Sequence, residues 1–563
     1  MYQNYNNNQL RLSIPLEINI PSNHVAVAIS HFVDSIPDKL IYEKAMTSGR
    51  PAYNPAMLLK VILFAYTRQT FSGRKIEAMA QENIPTKWLI GDPDTVPSYR
   101  TINRFRSSDQ MKRLVEAMFL SFRQLLKAQG LIDDSALFID GTKLLADANK
   151  YTFVWRKASE RFEGQLDKKI AGLYQELVQN KVDLAMSDEA PKTDSKTLEK
   201  TSEQLTNEIE RLDQVIATEP IIPGGSPNKR LRRKFKHDRH LIDSDYLPRK
   251  RKYESNNAIF GDRNSFSKTD PDATFMRMKE DAMQNGQLKP GYNLQIATQN
   301  QFALYYDINQ RPADQRTLIP FLQSMDFQTT PIKYIVADAG YGSEQNYNYI
   351  ENKLTAQALI PYGMFEKEQT RSYRRDASKI MNWNYDPIKD YYTDEHGIKF
   401  HFIREGHRKD KSGFVRNLRT YRALDYDDPE GYFYAHTPGG NLRQININPN
   451  WEHHKQQMRE RLKDNDETKA IYALRKIEDE PFFGNLKANL KYLRTSVRGI
   501  EKVTTEAGIA IMAANLLKLT LKVNVIFRKS IVKKIIVVFR FNISLKTTII
   551  LFCVAYVPAS FLL

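Results

Sequence analysis

Two short apolar runs, residues 136–139 and 334–337, each end on an aspartate that is followed by small or glycine residues. Runs of four or five β-forming residues predict buried strands. Asp140 and Asp338 therefore stand at the ends of two predicted strands, at the edge of a sheet where ligands bind in open α/β folds. Two carboxylates on neighbouring strands could hold a divalent cation, and a third acid would make a candidate two-metal phosphoryl-transfer site. The alternative is that each aspartate caps the turn after its strand.

Helical patterning dominates the chain from about residue 25 to 130. The apolar spacing predicts helices at 57–66, 72–80, 97–106 and 111–128. Ser98 is the expected N-cap of the third of these helices. Its basic residues Arg100, Arg104 and Arg106 suit a helix laid against DNA, as in helix-turn-helix modules. The alternative is a small helical bundle whose basic face is solvated.

A second helical region follows the first predicted strand. Leucine and isoleucine recur at helical spacing between residues 155 and 216, which predicts two long helices joined by the polar stretch 187–197 as a helical hairpin. Residues 223–257 are predicted to form a loop with two basic runs. Such runs bind phosphates without sequence preference, and the alternative is a solvated linker. The candidate DNA-binding residues of this loop are Arg230, Arg232, Arg233 and Lys234.

Strand periodicity returns at residues 291–298 and 302–308, and the turn-like sequence between them predicts a hairpin. A helix over 314–325 and a strand over 333–338 follow. The order of strand, insert, hairpin, helix and strand is that of a ribonuclease-H-like core, so we predict an α/β fold of this kind. Residues 362–450 have few apolar runs and predict a second insert of β-structure and loops.

Composition narrows the class of partner. The chain has 563 residues, and lysine and arginine exceed aspartate and glutamate by 17, with a pI near 9.4. This excess favours a polyanion, with nucleic acid first and an anionic membrane surface second. Cys553 is the single cysteine, which excludes an intrachain disulfide and a cysteine-based zinc site and fits the cytoplasm. Residues 1–24 are polar, lack a signal-peptide run and are expected to be flexible.

A third acid is sought on a helix that crosses the predicted sheet. Residues 471–487 are the best candidate region. Glu480 and Lys487 are seven residues apart, two turns on one helix face, so a metal-binding carboxylate and a phosphate-binding ammonium could share a cleft. Pro481 would disturb an ordinary helix, and such a local violation suggests a special role. Glu478 and Asp479 are rivals for the position of metal ligand.

These residues carry a resemblance to the DDE transposases of bacterial insertion sequences, in the branch marked by Tyr-(2)-Arg-(3)-Glu-(6)-Lys. Tyr472 and Arg475 match its first half, and Glu480 and Lys487 match its second. The middle spacing differs, because four residues separate Arg475 from Glu480. The resemblance extends from about residue 25 to 519, and five further motifs in order support it: 49–51, 138–142, 270–273, 291–293 and 337–341.

The resemblance implies metal-dependent cleavage and strand transfer at the terminal inverted repeats of an insertion sequence. Asp140, Asp338 and Glu480 would bind two Mg²⁺ or Mn²⁺ ions, with no covalent enzyme–DNA intermediate. It also implies a homodimer that pairs two DNA ends, target DNA as a second partner, no small-molecule substrate, and a cytoplasmic, nucleoid-associated location. The alternatives are a ribonuclease-H-like nuclease that does not join strands, and an inactive DNA-binding derivative.

The C-terminal segment differs in character from the rest of the chain. Residues 507–563 contain no aspartate or glutamate, and the final uncharged run, 547–563, is interrupted by Pro558. That run is at the lower length limit for a membrane-spanning helix, so a membrane anchor is one interpretation. The preferred one is a tail outside the fold. The sequence therefore predicts eight successive segments. They are a flexible N-terminus (1–24), a helical DNA-binding domain (25–130), the first strand of the catalytic core (131–154), a helical insert with a basic loop (155–257), the catalytic core (258–361), a second insert (362–450), the C-terminal helices of the core (451–519) and a basic, apolar tail (520–563).

Overall fold

The computed structural model describes residues 20–42, 52–91, 96–180, 194–220, 225–278, 286–327 and 331–542. Its N-terminal region is helical, as predicted. The sequence motif at residues 49–51 lies outside the described residues. The helices of this region are α1 (Val25–Asp34), α2 (Asp38–Ile41), α3 (Pro55–Thr67), α4 (Gly73–Glu82), α5 (Ile84–Ile90), α6 (Tyr99–Arg106) and α7 (Asp109–Ala128).

Local capping explains where the main N-terminal helices begin. Asn54 accepts hydrogen bonds from the backbone N–H groups of Ala56 and Met57 at the start of α3, and proline occupies the first helical position. Ser98 accepts from the N–H of Thr101 at the start of α6, which confirms the predicted N-cap. Helix α3 is buried along nearly its whole length, because it packs between α1 and the long C-terminal helix α20 (Ile500–Asn542).

A mixed six-stranded sheet forms the centre of the molecule. Its strands are β1 (Ala136–Leu145), β4 (Thr274–Arg277), β5 (Leu288–Gln299), β6 (Phe302–Asn309), β7 (Tyr334–Ala337) and β8 (Gln357–Leu359). The order is β4-β5-β1-β7-β8, with β6 also paired to β5. Strand β1 is antiparallel to β5 and parallel to β7, which is in turn parallel to β8. The predicted hairpin is present, and Asn300 and Gln301 both have positive φ at its two-residue turn.

Two α-helices, each preceded by a short 3-10 helix, lie between the hairpin and β8 in the chain. A short 3-10 helix at Asp314–Arg316 precedes α12 (Leu318–Gln323), and a second at Ala339–Tyr341 precedes α13 (Glu344–Lys353). Strand β7 ends at Ala337, so Asp338 lies directly beyond it. The helix and strand predicted at 314–325 and 333–338 are therefore found with slightly shorter bounds.

The first insert is a helical bundle that begins and ends at a two-stranded sheet. Strands β2 (Phe153–Trp155) and β3 (Ser265–Ser267) pair at its base. Between them lie α8 (Arg156–Gln179), α9 (Ser195–Thr218), α10 (Pro227–Leu241), a π-helix at Ile242–Tyr246 and α11 (Leu247–Phe260). The four α-helices bury one apolar cluster of their own, so the two predicted helices form half of a bundle rather than a free hairpin.

The prediction of a basic loop over 223–257 is wrong. Helix α10 begins where Ser226 accepts from the N–H of Lys229, with Pro227 at the first helical position. Lysine and arginine are good helix formers, and Phe235 and Ile242 supply buried anchors against the other helices. The density of charge in this segment concealed a helix start that the Ser-Pro pair signals.

The second insert is a five-stranded antiparallel sheet with short helices, which agrees with its predicted β and loop character. The strand order is β13-β12-β11-β10-β9. Its elements are α14 (Phe365–Gln369), α15 (Arg371–Arg375), a 3-10 helix at Ile380–Asn382, β9 (Asn384–Asp386), β10 (Tyr391–Thr393), β11 (Lys399–Lys409), β12 (Val415–Ala423), α16 (Pro429–Ala435) and β13 (Gln444–Ile447).

Helices return after this sheet and close over the central one. They are α17 (Pro449–Arg459), a π-helix at Glu460–Asp464, α18 (Asp466–Ala473), α19 (Arg475–Gly484), a π-helix at Asn485–Asn489 and α20. Helix α19 contains Pro481 yet continues, and it packs against β1 and β5. This is the helix predicted to cross the sheet.

Helix α20 continues past residue 519, where the sequence predicts the start of a separate tail, as far as Asn542. Residues 543–563, with the whole of the final uncharged run, lie outside the described residues. In the part of the chain that the structure describes, no helix combines the length and apolar character needed to cross a membrane.

The start of α20 is fixed by two acids of the motif at residues 270–273. Asp270 accepts hydrogen bonds from the Gly499 N–H, at 3.1 Å, and from the hydroxyl of Tyr292, at 2.8 Å. Asp272 accepts from the N–H of Ile500 at 2.9 Å. The N–H groups of a helix start need acceptors, so these acids anchor the helix to the sheet rather than line the site described below.

Candidate active site beside strands β1 and β7

Asp140 and Asp338 occupy the same level of two adjacent parallel strands. The register pairs Ile139 with Ala337, and the two aspartates follow directly. Strand β1 differs from the prediction, because it continues past Asp140 to Leu145 along β5. Asp140 thus lies where the pairing with β7 stops, within a strand rather than at its end. Its side chain is half-buried, and its Oδ1 accepts from the N–H of Gly141 at 2.7 Å.

Asp338 is held by the turn that follows β7. It is the N-cap of the short helix at Ala339–Tyr341, and its Oδ1 accepts from the N–H of Gly340 at 2.9 Å. One oxygen of each aspartate is therefore committed to the adjacent backbone. Such anchoring fixes the direction of a carboxylate on a rigid element, as a metal or substrate site requires.

Helix α19 places a third acid beside this pair, and that acid is Asp479. Its side chain is fully buried, and its Oδ1 accepts from the hydroxyl of Thr298 on β5 at 2.7 Å. Its Oδ2 is buried and makes no hydrogen bond within the described residues. Burial raises the pKa of Asp479 to about 8; the charges of Asp140 and Glu478 add to the rise, and Thr298 and Arg475 oppose it.

Glu480 and Glu478 lie on other faces of the same helix. The side chain of Glu480 is exposed and makes no hydrogen bond or ion pair with any part of the chain that the structure describes. Glu478 turns to the hairpin, where its Oε2 accepts from the N–H of Gln301 at 2.6 Å. Adjacent helical residues are separated by a rotation of about 100°, so only one of three consecutive acids can face the sheet.

Tyr472 and Arg475 share the electrostatic environment of the two aspartates. Burial alone would lower the pKa of Arg475, but Tyr472 and the carboxylates Asp140, Asp338 and Asp479 raise it above its ordinary value. Burial raises the pKa of Tyr472, as does the charge of Asp338, while Arg475 opposes that rise. The structure therefore brings together the Tyr-Arg half of the sequence signature with both aspartates.

Lys487 is tied to the first strand. It lies in the π-helix that follows α19, and its Nζ donates to the backbone carbonyl of Lys143 at 3.0 Å. Lys143 is three residues beyond Asp140 on β1. The ammonium group thus stands beside the strand that carries the first aspartate.

A polar network on the opposite face of the sheet was missed by the sequence analysis. Asp314 accepts from Asn293 at 2.6 Å and from Gln295 at 3.1 Å, and Gln295 in turn accepts from the buried hydroxyl of Tyr341 at 2.5 Å. Burial raises the pKa of Tyr341, and the charges of Asp314, Asp140, Asp338 and Asp479 raise it further. The available signal was the position of Tyr341 three residues after Asp338.

Gly141 is required by this network. A Cβ at residue 141 would lie 2.5 Å from the side-chain nitrogen of Gln295 and 3.0 Å from the hydroxyl of Tyr341. Side chains alternate between faces along a strand, so Asp140 projects towards α19 and residue 141 towards Gln295. The glycine after the first aspartate therefore leaves space for the supporting network under the site.

The donor chemistry of the site fits a hard divalent cation, because carboxylate oxygens are the ligands that Mg²⁺ prefers. Asp140 and Asp338 supply such ligands on adjacent strands. Nevertheless, the described residues contain no group of three or more histidine, cysteine, aspartate or glutamate side chains placed to hold a metal ion. Among the described residues, the buried Oδ2 of Asp479 and the exposed carboxylate of Glu480 both lack a hydrogen-bond partner.

The basic residues of α6 divide into two kinds. Arg100 and Arg104 are exposed, whereas Arg106 is only 5% exposed. The guanidinium of Arg106 donates to the hydroxyl of Tyr66 at 3.1 Å and lies 3.7 Å from the buried carboxylate of Glu506 on α20. This corrects the expectation for Arg106, which joins the N-terminal helices to α20 and does not share a DNA-facing surface.

At least two of the four candidate basic residues of the helical insert form ion pairs within the bundle. Arg232 forms an ion pair with Asp213, and Lys234 lies 3.0 Å from Glu176. Arg230 and Arg233 are exposed on α10. The expectation of an unstructured phosphate-binding run is corrected accordingly: these residues lie on a helix, and part of their charge is neutralised within the bundle.

Models of two known protein families match parts of this chain. The family model described as Transposase domain (DUF772) matches residues 14–108, and the one described as Transposase DDE domain matches residues 265–516. The second match includes Asp338 and α19 but begins after Asp140. No curated protein and no solved structure matches the chain. The two matches, in the order of the helical region and the mixed sheet, support a DDE transposase family for this chain.

Proposed function

We propose that this protein is a transposase that cleaves DNA at the terminal inverted repeats of an insertion sequence and joins the cut ends to target DNA. The observation that carries the proposal is the placement of Asp140 and Asp338 at one level of two adjacent parallel strands, facing a helix with a third acid. The match of residues 265–516 to a transposase DDE domain gives this arrangement its reaction class.

The sheet supports a ribonuclease-H-like core. An antiparallel pair, β5 and β6, lies on one side of β1, and the parallel strands β7 and β8 lie on the other. The hairpin, α12 and the parallel strand β7 follow β1 in the predicted order, whereas α13 and β8 were not predicted from the sequence. The two inserts, after β1 and after β8, leave this pattern intact.

Asp140 and Asp338 would hold a Mg²⁺ or Mn²⁺ ion, and the helix would complete a site for two ions. When bound, the ions would activate the attacking water or 3′-hydroxyl and stabilise the leaving oxygen. Glu480 remains the third ligand that the family resemblance predicts. Asp479 is its rival, since the three-residue spacing after Arg475 reaches Asp479 and its buried Oδ2 has no hydrogen-bond partner in the described part of the chain.

The other side chains of the site would orient the DNA. Arg475 carries a positive charge beside both aspartates and could attract the scissile phosphate, and Lys487 is fixed beside β1. The strand β7, which precedes Asp338, would be held in position from the far face of the sheet by the network of Tyr341, Gln295 and Asp314. No serine or tyrosine nucleophile is needed for this reaction.

The proposed partners are double-stranded DNA at the element ends and at the target, in a homodimer that pairs two ends at the nucleoid in the cytoplasm. Arg100 and Arg104 on α6 are the proposed contacts of the N-terminal helices. A strand-transfer assay with pre-cut ends separates this function from that of a nuclease that cuts without joining.

The experiment that tests the proposal replaces single carboxylates. Asp338→Ala should reduce cleavage of element-end DNA by at least about 10³-fold, the equivalent of about 4 kcal/mol of lost transition-state stabilisation. Binding of the same DNA in a gel-shift assay should remain. Cleavage at the parental rate by Asp338→Ala would exclude the metal assignment.

A matched pair identifies the third acid. If Glu480 is the ligand, Glu480→Gln abolishes cleavage and weakens Mn²⁺ binding measured by calorimetry, while Asp479→Asn retains both. The reverse result assigns the role to Asp479. Parental Mn²⁺ affinity and cleavage in both variants would contradict a third ligand from α19.

A further inference from the structure

A basic cleft lies between the second insert and the central sheet. It has a volume of about 630 Å³, and five cations line it: Arg316, Arg408, Lys409, Lys411 and Arg416. Two acids, Glu344 and Asp410, also line it. Cavities of this size hold ligands comparable to about one or two nucleotides.

The floor of the cleft is joined to the candidate active site. Gly342 and Ser343 line it and follow Asp338 by four and five residues. Gln315 donates to the carbonyl of Gly342 at 3.1 Å, which ties this floor to the segment that carries Asp314. A ligand in the cleft would therefore lie next to the loop that bears the second aspartate.

The wall of the cleft is the tip of the β11–β12 hairpin, and it is ordered. Asp410 accepts from the N–H groups of Ser412 and Phe414 at the turn. The hydroxyl of Ser412 donates to Gln345 at the start of α13 at 3.2 Å, so the tip touches the core across the cleft. These contacts fix the turn between the strands that carry the basic residues.

The charges of the cleft are poorly compensated by the protein itself. Asp410 lies 3.6 Å from Arg416, and one oxygen of Glu344 accepts from Asn448 at 2.7 Å. In contrast, Arg316, Arg408, Lys409 and Lys411 are exposed and form no ion pair among the described residues. Four uncompensated cations around one cavity create a local positive potential that attracts an anion.

One pairing in the hairpin points to a ligand independently. Arg408 and Arg416 are directly opposite each other on β11 and β12. Like charges in this position destabilise a sheet, so folding alone does not account for them. A residue that breaks a local rule without a structural gain is expected at a functional site.

We propose that this cleft binds the sugar–phosphate backbone of DNA and leads one strand past Ser343 to the aspartates. The choice of DNA rests on the proposed function. Arginine and lysine around a groove bind phosphates without reading sequence, so the contacts would position the duplex rather than select the element ends.

The test compares two double variants of the full chain. Arg408→Ala with Lys411→Ala removes two cleft cations, and Lys389→Ala with Arg404→Ala removes two exposed cations of the same insert that do not line the cleft. Binding of a fluorescein-labelled mixed-sequence duplex of about 30 base pairs is measured from about 50 to 200 mM salt. The cleft variant should bind about tenfold more weakly at about 0.1 M salt, and its plot of log K against log salt should flatten by about 1 to 2. The control should match the parent chain.

An unchanged slope in the cleft variant, or equal losses in both variants, would overturn the proposal. The melting temperature of Arg408→Ala should equal or exceed that of the parent, because a like-charge pair is removed; a marked decrease would assign Arg408 a structural role instead. If the parent chain cleaves DNA but the cleft variant binds DNA with the parental salt slope, the cleft proposal is rejected and the proposed function stands. If the parent chain does not cleave DNA but the cleft variant has a flatter salt slope, the proposed function is rejected and the cleft remains a DNA-binding site.

Discussion

The two inserts of this protein are both rich in basic residues, but they use them differently. In the helical insert, Lys250 is 2% exposed, and its Nζ lies 3.1 Å from Glu163 and 2.7 Å from Asp167. In the β insert, Arg408 and Lys411 are exposed at a hairpin tip without ion pairs among the described residues. The first set of cations holds a bundle together, and the second is available to a ligand.

The difference follows from the geometry of the two kinds of element. Helices packed side by side place the acids of one helix opposite the cations of another, as for Lys234 with Glu176 and Arg251 with Glu199. A hairpin tip projects from its sheet and has few neighbours that could supply acids. The density of basic residues in a sequence therefore measures charge, whereas the fold decides how much of that charge a polyanion can reach.

The largest expected effect is on the stability of the helical insert. Lys250→Met leaves Glu163 and Asp167 in the bundle without their cation, and breaking one partner of a buried pair costs about 3–5 kcal/mol. Arg251 lies on the same helix as Lys250 and forms an exposed pair with Glu199 of α9, and Arg251→Met should cost less than about 1 kcal/mol. Hydrogen exchange of the amides of α8 to α11 measures both changes. Equal effects would contradict the division into structural and available cations.

A smaller effect is expected on DNA binding when a paired cation is set free. Asp213 lies beside Arg232 and 3.9 Å from Lys236. Asp213→Asn should strengthen binding of a mixed-sequence duplex severalfold and steepen its salt dependence by up to about 1 to 2. Glu203→Gln adds the same net charge, but Glu203 has no ion pair in the described chain, so its salt slope should stay close to that of the parent. If both variants gain equally, net charge alone governs binding.

Local signals were sufficient to predict much of this architecture. The buried helix α3, the β5–β6 hairpin and the strand β7 before Asp338 each have a clear period and clear end signals, whereas the glycine after Asp140 does not end β1, which continues to Leu145. A dense run of charge predicts a loop where α10 forms, although Ser226 and Pro227 mark a helix start. The sequence of the insert also contains no direct sign that its cations face acids on other helices.

Patterns within single elements predict part of the candidate site. The order of the strands predicts that Asp140 and Asp338 lie side by side on β1 and after β7, and the position of α19 in the chain predicts that it packs on the sheet. Which acid of the run 478–480 faces the sheet depends on the rotation of the helix, which the packing of Phe482 and Leu486 against the core sets. The network of Asp314, Gln295 and Tyr341 joins residues from three distant segments, and no local pattern reveals such contacts.

The smallest expected effect is on the pH dependence of stability. The two inserts should lose stability at opposite ends of the pH range. In the β insert, burial of Asp390 opposes ionisation, but hydrogen bonds from Tyr385 and Tyr421 and the charge of Arg419 keep its pKa below the ordinary value. In the helical insert, Asp167 and Glu163 outweigh burial and raise the pKa of Lys250. A depressed carboxyl pKa contributes stability above the unfolded pKa, near 3.8, that is lost as the pH falls through the folded pKa. The raised lysine pKa contributes stability that is present below about 10.5 and lost as the pH rises through the folded pKa.

Acid should therefore loosen the β insert first, and alkali the helical insert. Asp390→Asn tests the acid limb, and its backbone is suited to the change because Asp390 has a φ of 51°, a conformation in which asparagine is favoured. Amide exchange of β9 to β12 should then depend less on pH below about 4 than in the parent, while the alkaline behaviour of α8 to α11 stays the same. Asp376→Asn is the control, since that carboxylate is half-buried and, among the described residues, its hydrogen bonds and ion pair stay within its own turn and with Lys379. An acid response of the β sheet that persists in Asp390→Asn would show that another group of the insert takes up the proton.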